Sequence, residues 1–264
     1  MTSRGQSGTK RAIKVLVKRG VAALGRFHRN DTPCARVLTY HSVGNRDHEM
    51  NVTPQDFREQ MTWLSDNCPV ISPREAATGK PGVAVTFDDG YFDNLTNAAP
   101  VLSKLSIPAV VFIVTGRMGG MLDHDSDPDT STLLTWEQAR ELQSMGVEIG
   151  GHTVTHRRLT ELTDSEQDVE IGECARHLKE NLLAEFPIFA YPYGSAFDYN
   201  VLSKDLTKRV GYSLAFSNRY GCVRPGDDPW ELRRIWIDAT DPLESFQAKV
   251  EGRLELLACL EPAT

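Results

Sequence analysis

From Ala35 onward, short apolar runs alternate with segments of helical periodicity, and this alternation constrains the fold more than any other feature. The runs predict strands at Ala35–Tyr40, Val70–Ser72, Gly82–Phe87, Ala109–Val114, Val147–Gly150, Ile188–Tyr191, Ser213–Phe216 and Arg234–Ile237. Helical patterns fill about 54–66, 92–105, 135–145, 164–184, 198–210 and 242–258. Start signals support them. Thr53 precedes Pro54 and Asp56, Thr135-Trp-Glu-Gln138 has the form of a capping box, and Thr163 precedes Asp164 and Glu166. Strands alternating with helices through short links predict a parallel sheet, and seven or eight such units predict a distorted β/α barrel. The chain has 264 residues, and single barrels run to about 250. Residues 34–264 therefore read as one α/β domain preceded by an arm, 1–33.

The arm differs sharply in charge. Residues 1–30 hold eight Lys/Arg and no acid, which leaves 21 basic against 36 acidic residues in the remainder, a balance of −15. An acidic body argues against nucleic acid as a partner. Within KRAIKVLVKRGVAALGRFH (10–28), Ile13, Leu16, Val17, Val21, Leu24 and Phe27 share one helical face, with Arg11, Lys14 and Lys18 opposite. Two readings stand: peripheral contact with an anionic membrane surface, or packing on the following domain. Lys14, Lys18 and Arg19 interrupt any signal-peptide core. Five widely spaced cysteines without a CxxC pair suit a reducing compartment. The expected location is cytoplasmic, at the inner membrane face if the arm binds lipid.

In a parallel barrel the chemistry sits where strands end. His41 follows the first strand, Asp88-Asp89-Gly90 the third, and His152 the fifth, with His156 four residues on. Pro192-Tyr193-Gly194 follows the sixth and Asp238 the last. Asp and His from separate strands suit a borderline divalent metal such as zinc, with cobalt, nickel and manganese also compatible. His152 and His156, four apart, would share one side of a helical turn, and Asp89 would be the third ligand. Three protein ligands leave room for water, and Asp88 beside them is placed to take its proton. Gly116–Thr132 breaks the strand–helix rhythm and reads as a solvated lid. Its Asp125, Asp127 and Asp129 lack the glutamate a calcium loop needs.

TFDDGY (Thr86–Tyr91), GHTVTH (Gly151–His156) and FAYPYG (Phe189–Gly194) resemble, in order and spacing, the polysaccharide deacetylase family, carbohydrate esterase family 4. The resemblance spans about 35–240. It implies a distorted barrel that removes N-acetyl groups from amino sugars with a divalent metal. It further implies Asp88 as general base, Asp89, His152 and His156 as metal ligands, and the Tyr193 backbone N–H as an oxyanion donor. Three positions depart from the family pattern. Ala190 stands where the family often has an arginine that holds the base. The region Glu231–Ile237, which matches the family's Leu-x-His motif, has no histidine, and Asp227-Asp228-Pro229-Trp230 only loosely matches its Asp–Trp motif. His41 is the leading substitute proton donor, with substrate contact or structure as its other reading, and His124 is a further candidate. Arg234 is a candidate to hold a carboxylate in place of the missing arginine. Tyr91, Tyr191, Trp136 and Trp236 are candidates for a sugar-stacking surface, and Asn94 for loop or substrate support. The expected activity is metal-dependent deacetylation of an N-acetylated saccharide. A related C–N hydrolase on a non-sugar amide, or a metal-bearing glycan-binding protein, are the alternatives.

Overall fold

A computed structural model describes residues 33–125, 127–182 and 187–254. The amphipathic segment of the arm, 10–28, and the end of the helix expected over 242–258 lie outside them. The elements run β1 (Ala35–Tyr40), β2 (Ser42–Val43), β3 (Asn51–Val52), α1 (Pro54–Asn67), α2 (Pro73–Ala76) and β4 (Gly82–Phe87). A π-helical turn at Asn94–Ala98 leads into α3 (Ala99–Leu105), then β5 (Ala109–Ile113), α4 (Pro128–Ser131), α5 (Trp136–Ser144) and β6 (Val147–Gly151). After a short 3-10 turn come α6 (Asp164–Leu182), β7 (Phe189–Ala190), α7 (Val201–Arg209), β8 (Ala215–Tyr220), β9 (Leu232–Trp236) and α8 (Leu243–Val250). Among the described residues, no helix is long and apolar enough to cross a membrane.

Seven strands form one parallel sheet in the order β1-β4-β5-β6-β7-β8-β9. It curls until β9 pairs with β1 at Leu38–Ile235 and Thr39–Trp236, giving the expected distorted β/α barrel. The strand expected at Val70–Ser72 is a lone bridge, Val70 to Val83. Ser72 cannot extend it, because its side chain caps α2 in a reciprocal pair with Glu75.

Period-two alternation sorts each strand into two faces. One face of the strands (Leu38, Val85, Val111, Ile149, Phe189 and Ile235 among others) packs with Phe57, Met61 and Leu64 of α1 and with Ile171, Cys174 and Leu178 of α6. The other (Val37, Ala84, Val110, Phe112, Ala190, Phe216 and Leu232) forms a second buried cluster. Each large apolar side chain buried this way contributes roughly 1.5–3 kcal/mol. Gly150 makes room inside for Phe112, since a Cβ there would lie 2.5 Å from that ring. Continued upward, the inner rows of β1, β4, β6 and β9 reach His41, Asp88, His152 and, through Arg234, Trp236. Strand periodicity thus gathers the polar residues at one rim.

Candidate active site

A cavity of about 530 Å³ opens at that rim, lined by His41, Asp88, Asp89, His152, His156 and Trp236 together with loop residues. Asp88 is fully buried. Its Oδ1 and Oδ2 accept hydrogen bonds from Arg234 Nη1 and Nη2, both at 2.7 Å. Burial alone would raise the Asp88 carboxyl, but the charge and hydrogen bonds of Arg234 outweigh it and hold the group below its usual range. Arg234 is itself 1% exposed. Its Nε donates to Ser217 O at 2.9 Å and its Nη1 to Thr86 Oγ1 at 3.3 Å. Its guanidinium lies over Phe112 and Phe216, at 5.6 and 5.9 Å from the ring centroids. The role considered for Arg234 is therefore the one its side chain plays.

Asp89 takes a left-handed backbone (φ 72), which aspartate tolerates better than most residues, and Gly90 follows at φ 78. The reversal brings Asp89 to the two histidines: Oδ1 lies 3.2 Å from His156 Nε2 and 3.7 Å from His152 Nε2. One ligand atom from each of the three residues falls within 4.8 Å of the others. His152 Nδ1 meets Ala190 O at 2.7 Å, so this nitrogen carries the hydrogen and Nε2 presents its lone pair. Burial pushes His152 down to about 4, so the ring is neutral near pH 7, as a ligand must be. One carboxylate and two imidazoles, that of His152 oriented by Ala190 O, fit a divalent ion. The expected helical turn from His152 to His156 is absent. The segment is a loop, with Thr153 and His156 both left-handed at φ 64, and Thr153 Oγ1 accepts from His156 N at 3.0 Å.

His41 is 5% exposed, and its carbonyl accepts from the side-chain amide of Asn94 at 2.8 Å. Asn94 is thus a support of the His41 backbone. The His41 ring stands 6.2 Å from that of Trp236. Burial lowers its pKa, against the opposing charges of Asp89 and Asp88. Tyr193 sits in a left-handed turn (φ 60), its ring 4.9 Å from that of His156 and covered by the Arg158 guanidinium at 3.9 Å. Its carbonyl accepts from Asn218 Nδ2 at 3.0 Å.

Other expected rim residues go elsewhere. Asp238 Oδ1 accepts from the Thr240 amide at 2.6 Å, so it caps a turn. Tyr191 is buried and stacks on Tyr199 at 4.3 Å, and Trp136 packs against the core. Tyr91 lines the cleft but is 3% exposed, its hydroxyl bound to Asp125. Of the four aromatics, Trp236 alone keeps an open face, at 38% exposure. The loop Gly116–Thr132 is tied down more firmly than a solvated lid. Arg46 pairs with Asp125 at 2.6 Å, Tyr91 donates to Asp125 at 2.9 Å, and Asp127 caps α4. This anchoring leaves His124 on the cleft wall, its ring 6.0 Å from that of His156. The sequence pattern missed Met50 and Ser195, which lie in turns without a strand-end signal, and Asn218, which lies within β8; the three complete the lining.

The polysaccharide deacetylase family model matches residues 75–215, more than half of the chain. The chain belongs to the polysaccharide deacetylase family. The Bacillus subtilis protein YxkH is 29% identical over 225 residues, covering 82% of this chain and 76% of that one. The poly-β-1,6-N-acetyl-D-glucosamine N-deacetylase of Staphylococcus epidermidis is 26% identical over 250 residues, covering 83% of each. Among solved structures, IcaB from Ammonifex degensii superposes with a TM-score of 0.72 at 25% identity, over 84% of this chain and 98% of that one. This deacetylase family is one of metal-dependent carbohydrate N-deacetylases, which agrees with a buried Asp-His-His cluster at the strand ends.

Proposed function

We propose that this polysaccharide deacetylase hydrolyses the acetamide of N-acetylglucosamine units in a saccharide chain. A β-1,6-linked polymer is the first substrate to test, since that is what the named Staphylococcus epidermidis relative acts on. One observation carries the reading: a carboxylate clamped by a buried arginine stands beside the Asp89, His152 and His156 cluster, at the mouth of one cavity.

In this reading Asp89, His152 and His156 hold a divalent ion, zinc by preference, as the donor set favours. When bound, such an ion supplies Lewis acidity to a carbonyl and to water. Asp88 is the general base. Arg234 keeps it ionised near neutral pH and fixes both oxygens, so it can accept a proton from the attacking water. The Tyr193 N–H helps hold the negative charge that develops on the acetamide oxygen. His41 delivers a proton to the departing amine. Its place on the cleft wall, with its ring 6.2 Å from that of Trp236, supports that role. Trp236 offers its open face to a pyranose ring next to the reacting group.

The test is acetate release from β-1,6- and β-1,4-linked N-acetylglucosamine oligomers by metal-stripped protein, with and without added zinc or cobalt. Metal-restored release is the expected result. Asp88→Asn should abolish release while metal binding persists, and His41→Ala should lower kcat without loss of metal. Tight metal binding with no release from any oligomer would sink the reading in favour of a non-sugar amide or glycan binding without turnover.

A further inference from the structure

We propose that Glu170, on α6, is a positioning residue for the metal ligands: its carboxylate clamps the loop that carries His152 and His156. The inference rests on reading Asp89, His152 and His156 as a metal site. Glu170 is 7% exposed and lies fourteen residues beyond His156. Its Oε2 accepts hydrogen bonds from the backbone N–H groups of Val154 and Thr155, both at 2.9 Å. Its Oε1 accepts from the Thr155 hydroxyl. All three bonds thus end on residues between the two histidines.

The other edge of the same loop is held as well. Thr115 N donates to Thr153 O at 3.1 Å, and Gly116 N donates to Val154 O at 2.9 Å. That approach is close: a Cβ at Gly116 would stand 2.6 Å from Val154 O, so only glycine fits there. Carbonyls of the loop are therefore satisfied by the turn that follows β5, and amides by Glu170. One turn along α6, Cys174 faces the end of β6, where its Sγ would lie 2.9 Å from a Cβ at Gly151. Residues four apart on a helix share a face, so α6 presents Glu170 and Cys174 together to the metal loop.

A clamp is needed because the loop is strained. Thr153 and His156 both hold left-handed backbones, which non-glycine residues avoid and which suit a β-branched threonine least. Such conformations persist only where surrounding contacts enforce them. Released from Glu170, the loop can relax toward ordinary dihedrals. His156 would then leave its place 3.2 Å from Asp89. The structure thus assigns Glu170 to metal affinity, with no contact to substrate.

Zinc titration of the full, metal-stripped chain by calorimetry tests this. Glu170→Met fills the volume without an acceptor, and Glu170→Gln keeps one. Loss of an outer support typically weakens metal binding about 10–100-fold. That loss is expected for Glu170→Met, with Glu170→Gln close to wild type. Acetate release by Glu170→Met should also recover as zinc is raised, which a general packing defect would not allow. Wild-type affinity in Glu170→Met, or equal losses in both variants, would overturn the proposal. If Glu170→Met does not fold, Thr155→Val decides. It removes one of the three links and should weaken zinc measurably, and unchanged affinity would refute the clamp. A wild-type chain that binds no zinc would defeat the metal-site reading itself. Binding lost in His156→Ala but kept in Glu170→Met would defeat the clamp alone.

Discussion

Replacing Arg234 with methionine tests the buried pair that holds Asp88. Arg234 and Asp88 are both buried and share two bonds of 2.7 Å. Hydrogen bonds to charged groups contribute roughly 1.5–3 kcal/mol each, and deleting one partner of a buried pair costs about 3–5 kcal/mol. A domain of this size loses about 2–4 °C in Tm per kcal/mol, so Arg234→Met should melt about 10 °C below wild type at pH 7. The pH dependence has a definite sign. In the wild type the Asp88 carboxyl lies below its ordinary value, so its stabilisation is present above the unfolded carboxyl pKa of about 4 and fades as pH falls through the folded value. Without Arg234, burial prevails and raises the group. The Tm deficit should therefore be largest near neutrality and shrink toward pH 4, where a protonated Asp88 no longer needs a cation. Melting of metal-stripped protein is the assay, because bound metal would add stability by mass action. The cycle is completed by Asp88→Asn alone and with Arg234→Met. Loss of the Arg234 bonds to Ser217 and Thr86 occurs in both arms and cancels. The double variant should be at least about 2 kcal/mol more stable than the sum of the single losses predicts. Additive losses, or a deficit that does not vary with pH, would refute the claim that Arg234 acts through the charge of Asp88.

Further outcomes follow from particular contacts. Asp89→Asn, His152→Ala and His156→Ala should each weaken zinc binding severely and abolish acetate release, read by calorimetry and by enzymatic acetate detection. Gly150→Ala should cost about 1–3 kcal/mol in urea unfolding, because its Cβ would press on Phe112 at 2.5 Å. Trp236→Ala should raise KM for oligosaccharides more than it lowers kcat, if its open face carries a sugar ring. The Cys174 thiol, pushed up to about 11 by burial, should resist alkylation by iodoacetamide at pH 8 in the folded protein and react on unfolding.

Much of this site was legible in the sequence, for a simple reason. An apolar run marks a strand, and the first polar residues after it stand at the barrel rim. That logic found His41, Asp88, Asp89 and His152 without knowledge of how the strands are ordered. It failed where backbone geometry or burial had to be known. The spacing of His152 and His156 suits a helical turn equally well, and only the left-handed dihedrals of Thr153 and His156 distinguish the loop. Tyr191 and Trp236 look alike as aromatics at strand ends, and Trp136 as one at a helix start, yet the first stacks on Tyr199 and Trp136 packs on the core. The support given by Glu170 left no trace in the pattern. A carboxylate on an amphipathic helix looks like solvated surface until the loop beneath it is placed.

The departures from the family pattern become one exchange when the barrel is considered as a ring. The resemblance expects an arginine at 190 to hold the base and a histidine in the Leu-x-His position. Here 190 is alanine, and Leu232-Arg233-Arg234 puts arginine where that histidine would stand. β9 pairs with β1, which pairs with β4, so position 234 and Asp88 face the same interior from two strands apart. A guanidinium is long enough to cross that interval, and Phe112 and Phe216 line its path. Asp88 therefore keeps an arginine, supplied from β9 rather than from β7. In the proposed mechanism the cost falls on the proton donor, whose expected position the arginine fills. His41, at the end of the strand that joins β9 to β4, lies in the cleft beside Trp236, with His124 the other imidazole on its wall outside the Asp89, His152 and His156 cluster. If the exchange is real, His41→Ala and Arg234→Met should fail differently. The first should slow amine departure with Asp88 and metal binding intact, and the second should disable Asp88 itself. Indistinguishable pH–rate profiles for the two variants would mean that the two functions were never divided in this way.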